Sequence, residues 1–91
     1  MTISFGTTQF DKVSYDRDAD VLYLNVEGVE PVRWEESPEG HVLRFDGDGD
    51  LCGVTVIGVQ HHLDANGGIA VTFPSRQVLA SNELDEALAL A

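Results

Sequence analysis

Acidic residues make up sixteen of the 91 positions, and two short runs space them as the start of a calcium loop would. Asp46, Asp48 and Asp50 alternate with glycine and leave every second side chain free to offer oxygen to a hard cation. Asp16, Asp18 and Asp20 repeat the spacing. A complete loop also needs a glycine in sixth place and a bidentate glutamate in twelfth. The first run has Leu51 and Ile57 at those places. The second has Glu27 twelfth but Val21 sixth. Asp-Gly segments between apolar runs have an ordinary explanation as turns closed by side-chain-to-backbone bonds. No metal site is assigned, and Asp46, Asp48 and Asp50 are the candidates that would form one.

Other chemistry fares no better. His61 and His62 are adjacent, so on a strand their rings point to opposite faces. His41 is the remaining histidine, and four convergent zinc ligands are not in sight. Cys52 lies in an alternating strand pattern, where a thiol is an inert small hydrophobe. No serine elbow, phosphate-cradling glycine loop or paired-histidine zinc helix is written in the chain. No catalytic residue and no cofactor are therefore expected, and the chain reads as something other than an enzyme.

Those residues are spread over elements rich in strand signals. Val13 to Tyr15 favours strand, Asp16 to Asp20 reads as a turn, and Val21 to Val26 follows. The apolar residues of this last segment fall on both faces, as in an interior strand covered on each side. Pro31 to Glu36 reads as an edge strand, because proline cannot donate to a ladder. Ser37 to Gly40 is a turn. His41 to Phe45 and Leu51 to Ile57 form a tight hairpin with a bulge across Asp46–Gly49. Asn66-Gly67-Gly68 turns into a strand over Ile69–Phe73, stopped by Pro74. Residues 59–65 are compatible with strand, loop or one helical turn, and residues 1–10 with a loose N-terminal arm or a short edge strand.

The period then changes. Ser81 is placed to cap a helix with Glu83, Asp85 and Glu86 near its positive end. Leu84, Ala87, Leu88 and Ala91 form one apolar stripe. So short a helix needs burial on the sheet or on a partner. The expected fold is α+β: an antiparallel β-meander of five or six strands with a short C-terminal helix, in a single domain spanning residues 1–91.

Bulk properties narrow the partners. The net charge of −11 repels phosphate backbones and anionic lipid, so neither nucleic acid nor membrane is expected. The lone cysteine rules out an intrachain disulfide. The N-terminus lacks a signal-peptide pattern, and cytoplasmic placement is the expectation.

Two segments resemble a known family. Tyr15-Asp16-Arg17-Asp18-Ala19-Asp20-Val21-Leu22-Tyr23-Leu24 is similar to the opening signature Y-D-x-x-A-D-x-L-Y of a family of small bacterial domains of unknown function, numbered 2283. Val42 to Val56 resembles its second signature, an apolar strand, an acidic glycine turn and a strand carrying G-[IV]-x-[IV]. Thr55 stands where members often carry glutamate. The resemblance implies a small β-rich fold and no established catalytic residue.

The favoured function is a non-catalytic protein-interaction module, acting as a homo-oligomer or as an antitoxin-like partner of a basic protein. Aromatic residues on strands ordinarily belong to the core. Trp34, on the edge strand, is the candidate interface anchor, joined by Leu84 and Leu88 of the terminal helix. The alternative is a small-ligand or cation-binding domain built on the aspartate-rich turns.

Overall fold

A computed structural model describes residues 1–73 and 75–89. Its centre is a five-stranded antiparallel sheet of β3 (Lys12–Asp16), β4 (Val21–Asn25), β5 (Arg33–Glu36), β6 (Val42–Phe45) and β7 (Leu51–Ile57). The strand order is β3-β4-β7-β6-β5. The chain therefore leaves β4 for the far edge, and the β5–β6–β7 meander brings it back beside β4. Two hairpins flank the sheet: β1 (Ile3–Phe5) with β2 (Thr8–Phe10), and β8 (Gly68–Thr72) with β9 (Arg76–Ala80). Helices α1 (Val59–Asn66) and α2 (Ser81–Ala89) complete an α+β fold. Among the described residues, no helix is long and apolar enough to cross a membrane.

One face of the sheet carries the core. Leu22, Leu24, Leu43, Phe45, Val54 and Val56 point into it from β4, β6 and β7. Ile3, Phe5 and Phe10 of the first hairpin, Ile69 and Val71 of β8, Leu79 of β9 and Leu84 of α2 close over them. Residues 1–10 thus form strands and not a loose arm. Their three-residue strands are too short to show a period, but their apolar side chains are nearly fully buried.

Expected elements are present where local chemistry decides them. Asp46 to Asp50 is the hairpin turn: Gly49 has φ 84° and donates to the Asp46 carbonyl, and the register shifts between Arg44 and Phe45 as a bulge requires. β5 is an edge strand. Residues 59–65 are helical, so His61 and His62 do not sit on opposite faces of a strand.

Two expectations need correction. β4 is interior but covered on one face only: Leu22 and Leu24 are fully buried while Tyr23 between them is 38% exposed. Leu84 is not an interface residue. It is fully buried against the chain's own core, with Leu88 packed partly beside it, because α2 lies against β3 and β9. Pro74 and Ala91, named as strand stop and stripe end, lie outside the described residues.

Candidate functional site

The first acidic run is a brace. Asp16 Oδ1 accepts from the Ala19 N–H and closes the β3–β4 turn. Asp20 ends that turn in the left-handed region at φ 58°, which costs an aspartate less than most residues. Its carboxylate accepts from the Tyr15 hydroxyl at 2.6 Å and from the Gln60 N–H at 3.0 and 3.1 Å. Its carbonyl accepts from the N–H groups of Gly58 and Val59. Gly58, which precedes α1, offers no side-chain cap, so Asp20 supplies one from forty residues away. The hydrogen bond to Asp20 is the main reason the Tyr15 hydroxyl titrates above its ordinary value, with burial second. Arg17 donates to the Leu88 carbonyl and ties the same turn to α2.

The second run is also occupied by backbone. Asp46 Oδ1 accepts from the N–H groups of Asp48 and Asp50, and the Asp46 N–H donates to the Asp50 carbonyl. Carboxylate oxygens of Asp46, Asp48 and Asp50 lie within 4.8 Å of one another at an exposed turn. Turn closure accounts for Asp46. Asp48 and Asp50 project into solvent.

The sheet face opposite the core is open. Strand alternation and register place three cross-strand rows on it. The first is Lys12, Asn25, Gly53, Arg44 and Trp34. The second is Ser14, Tyr23, Thr55, Val42 and Glu36. The third is Asp16, Val21 and Ile57. Trp34 is 59% exposed and Ile57 47%, and no described element covers them.

Arg44 lies flat across the middle of this face. Its Nη1 donates to Thr55 Oγ1, and its Nη2 to Asn25 Oδ1 at 2.8 Å and the Leu24 carbonyl at 3.3 Å. A side chain at Gly53 would set a Cβ 2.6 Å from Arg44 Nε, so the glycine leaves room for the guanidinium. Among the described residues Arg44 meets neutral acceptors and no carboxylate. Burial leaves its pKa below the ordinary arginine value.

The histidines lie at the other end of the sheet. His41 is fully buried, its Nδ1 accepts from the Ile57 N–H at 3.2 Å, and its ring meets His62 edge-on at 5.1 Å. Nε2, which must carry the proton in this arrangement, closes no hydrogen bond. Burial first, and the neighbouring His62 second, push the imidazole pKa down and outweigh the upward pull of Glu39. Glu39 itself is raised by burial, but hydrogen bonds from the Thr72 hydroxyl and N–H outweigh this and hold it below the usual range. Cys52 is buried, and burial foremost pushes its thiol pKa up, away from the reactive thiolate.

A pH dependence follows. The folded His41 has a lower pKa than the unfolded one, so below the free value of 6.5 the unfolded chain binds the extra proton more readily. Its contribution is complete above that pH and is lost as pH falls through the folded pKa. Urea unfolding should show wild-type stability dropping from pH 7.5 towards 5.5. His41→Leu should be less stable at neutral pH yet show a flatter slope. An unchanged slope in the variant would assign the effect elsewhere.

A shallow cleft of about 580 Å³ lies between the β1–β2 turn and the Asp46–Asp50 hairpin, floored by Phe5, Val26, Leu51 and Phe73. It brings no buried titratable pair together. What sequence reasoning missed is the open face and the distant cap. Tyr23, Val42, Ile57 and Arg44 give the face, and only the pairing of β4 with β7 puts them together. Gly53 beside Arg44 in the hairpin register was the available signal.

Searches of curated proteins and of solved structures return no match. A family model described as "Protein of unknown function (DUF2283)" matches residues 12–60, more than half of the chain. The matched stretch runs from β3 to the first turn of α1, and so contains the Asp20 brace, the Asp46 turn, the Gly53–Arg44 contact and every strand of the central sheet. The chain belongs to the DUF2283 family of proteins of unknown function.

Proposed function

We propose that the chain is a non-catalytic protein-interaction domain, and that its partner docks on the open face of the five-stranded sheet. The carrying observation is that Trp34, Tyr23 and Ile57, one from each cross-strand row, stay exposed on a face that no described element covers. An uncovered sheet face that presents large apolar side chains offers area for a partner to bury. A flat, hydrogen-bonded sheet also suits docking better than catalysis, since it offers no water-excluded cleft. The aspartates argue in the same direction. Asp16, Asp20 and Asp46 accept from backbone N–H groups, which leaves them holding turns and not poised for proton transfer.

The test is association of the wild-type chain against Trp34→Glu, both by sizing the pure protein and by recovery of bound proteins from a host lysate. The wild type should associate, with itself or with another protein, and the variant should not. A thermal screen of metals and metabolites is run alongside. Saturable stabilisation by a small ligand, in the absence of any Trp34-dependent association, would replace this reading with a ligand-binding one.

A further inference from the structure

The docking reading leaves the occupant of the open face unnamed, and the charges on that face choose among candidates. The whole chain carries −11, with sixteen acidic and five basic residues. The three rows described above hold Lys12 and Arg44 against Asp16 and Glu36, so this face is formally neutral. A basic partner would be drawn to the acidic turns and away from this face. A second copy, itself strongly acidic, could approach closely only where the acids have been cleared. This is such a place.

The strand order supplies the symmetry. β7 is the third strand of five, with two strands on each side. We infer that the open face is covered by a second copy of the chain, stacked sheet on sheet about a two-fold axis running along β7. This inference rests on the docking reading above and adds the identity and orientation of the partner.

Rotation about that axis lays β3 of one copy over β5 of the other, and β4 over β6. The rows then meet in complementary pairs. Lys12 faces Trp34 of the second copy, an ammonium over an indole. Asn25 faces Arg44, an amide opposite a guanidinium that meets no carboxylate among the described residues. Tyr23 faces Val42, and Ser14 faces Glu36. No like charges meet. On the axis itself stand Gly53, Thr55 and Ile57: the first two leave room for the sheets to approach the roughly 10 Å spacing of packed β-layers, and Ile57 meets its own counterpart as an apolar pair. The faces together bury on the order of 1,000 Å², at the lower limit for a specific interface. A dimer that dissociates in about the micromolar range is expected.

Sedimentation equilibrium of the pure chain, from sub-micromolar to near-millimolar concentration, tests this. The wild type should move from monomer to dimer without larger species, since a two-fold face-to-face contact is closed. Trp34→Glu and Tyr23→Glu change exposed residues, so both should fold, and each should weaken the dimer by at least about tenfold. Thr55→Cys in a Cys52→Ala background should cross-link to itself through a short bis-maleimide, whereas Asp48→Cys on the distant turn should not. A monomer throughout overturns the inference, as does a dimer that neither glutamate variant weakens. If the pure chain stays monomeric while a different protein is recovered in a Trp34-dependent way, the symmetric dimer is wrong and the docking reading stands.

Discussion

Replacing Asp20 by alanine should lower the unfolding free energy by about 3 kcal/mol, the sum of three separable losses. Alanine at φ 58° meets the left-handed steric penalty, which is about 1 kcal/mol. The N-terminus of α1 loses the acceptor for its Gln60 N–H, and a lost cap costs about 1 kcal/mol. The Tyr15 hydroxyl loses a charged partner held at 2.6 Å, roughly another 1–1.5 kcal/mol at a half-buried site. The substitution series separates these terms. Asp20→Gly removes the backbone strain but neither hydrogen-bond loss, and should recover about 1 kcal/mol. Asp20→Asn tolerates the same backbone and keeps an acceptor, so it should lie within about 1 kcal/mol of wild type. Urea unfolding at pH 7.5 measures all three. Were alanine as benign as asparagine, Asp20 would not be bracing the helix.

Leu84→Ala should be equally severe, and for a reason that distinguishes core from interface. Leu84 is fully buried on the chain's own sheet, and truncating such a leucine typically costs 2–5 kcal/mol, about 3 here. The loss should be the same at low and high protein concentration, because the cavity opens within one chain. Trp34→Ala should behave in the opposite way. In sub-micromolar protein it should leave stability within about 0.5 kcal/mol of wild type, since the side chain is mostly in water. At high concentration it should abolish the extra stability that association adds by mass action. A concentration-dependent penalty at Leu84 would return the terminal helix to the interface. A large penalty at Trp34 in dilute solution would take the indole off the surface.

How much was legible in the sequence follows from where each determinant sits. The Asp46–Asp50 hairpin is set by its own residues: an aspartate that bonds two N–H groups ahead of it and a glycine with positive φ. Pro31 marks the β5 edge in the same local way. The terminal helix shows its stripe in sequence, but whether Leu84 meets its own sheet or a partner is a tertiary fact. Helix α1 is illegible for a physical reason. It begins after Gly58 without a cap of its own, has a weak apolar stripe, and depends on a carboxylate contributed by the turn before β4. The open face hides for another reason. Tyr23 sits in an apolar run that reads as covered on both sides, and only the absence of a second layer, which no local pattern encodes, leaves it exposed. The matched family region contains the brace and the sheet alike, and the spacing of Asp16, Asp18 and Asp20 is visible in the sequence long before their role is.

That role can be read at a single atom. The central claim is that the aspartates of the β3–β4 turn hold backbone, and the amide hydrogen of Gln60 is the group Asp20 is held to. Residue-resolved hydrogen exchange should find it protected in the wild-type chain and in Asp20→Asn, yet exchanging near the unprotected rate in Asp20→Ala while the β4 and β7 amides stay protected. Equal protection of Gln60 with and without the carboxylate would contradict the claim and leave Asp20 free for some other task.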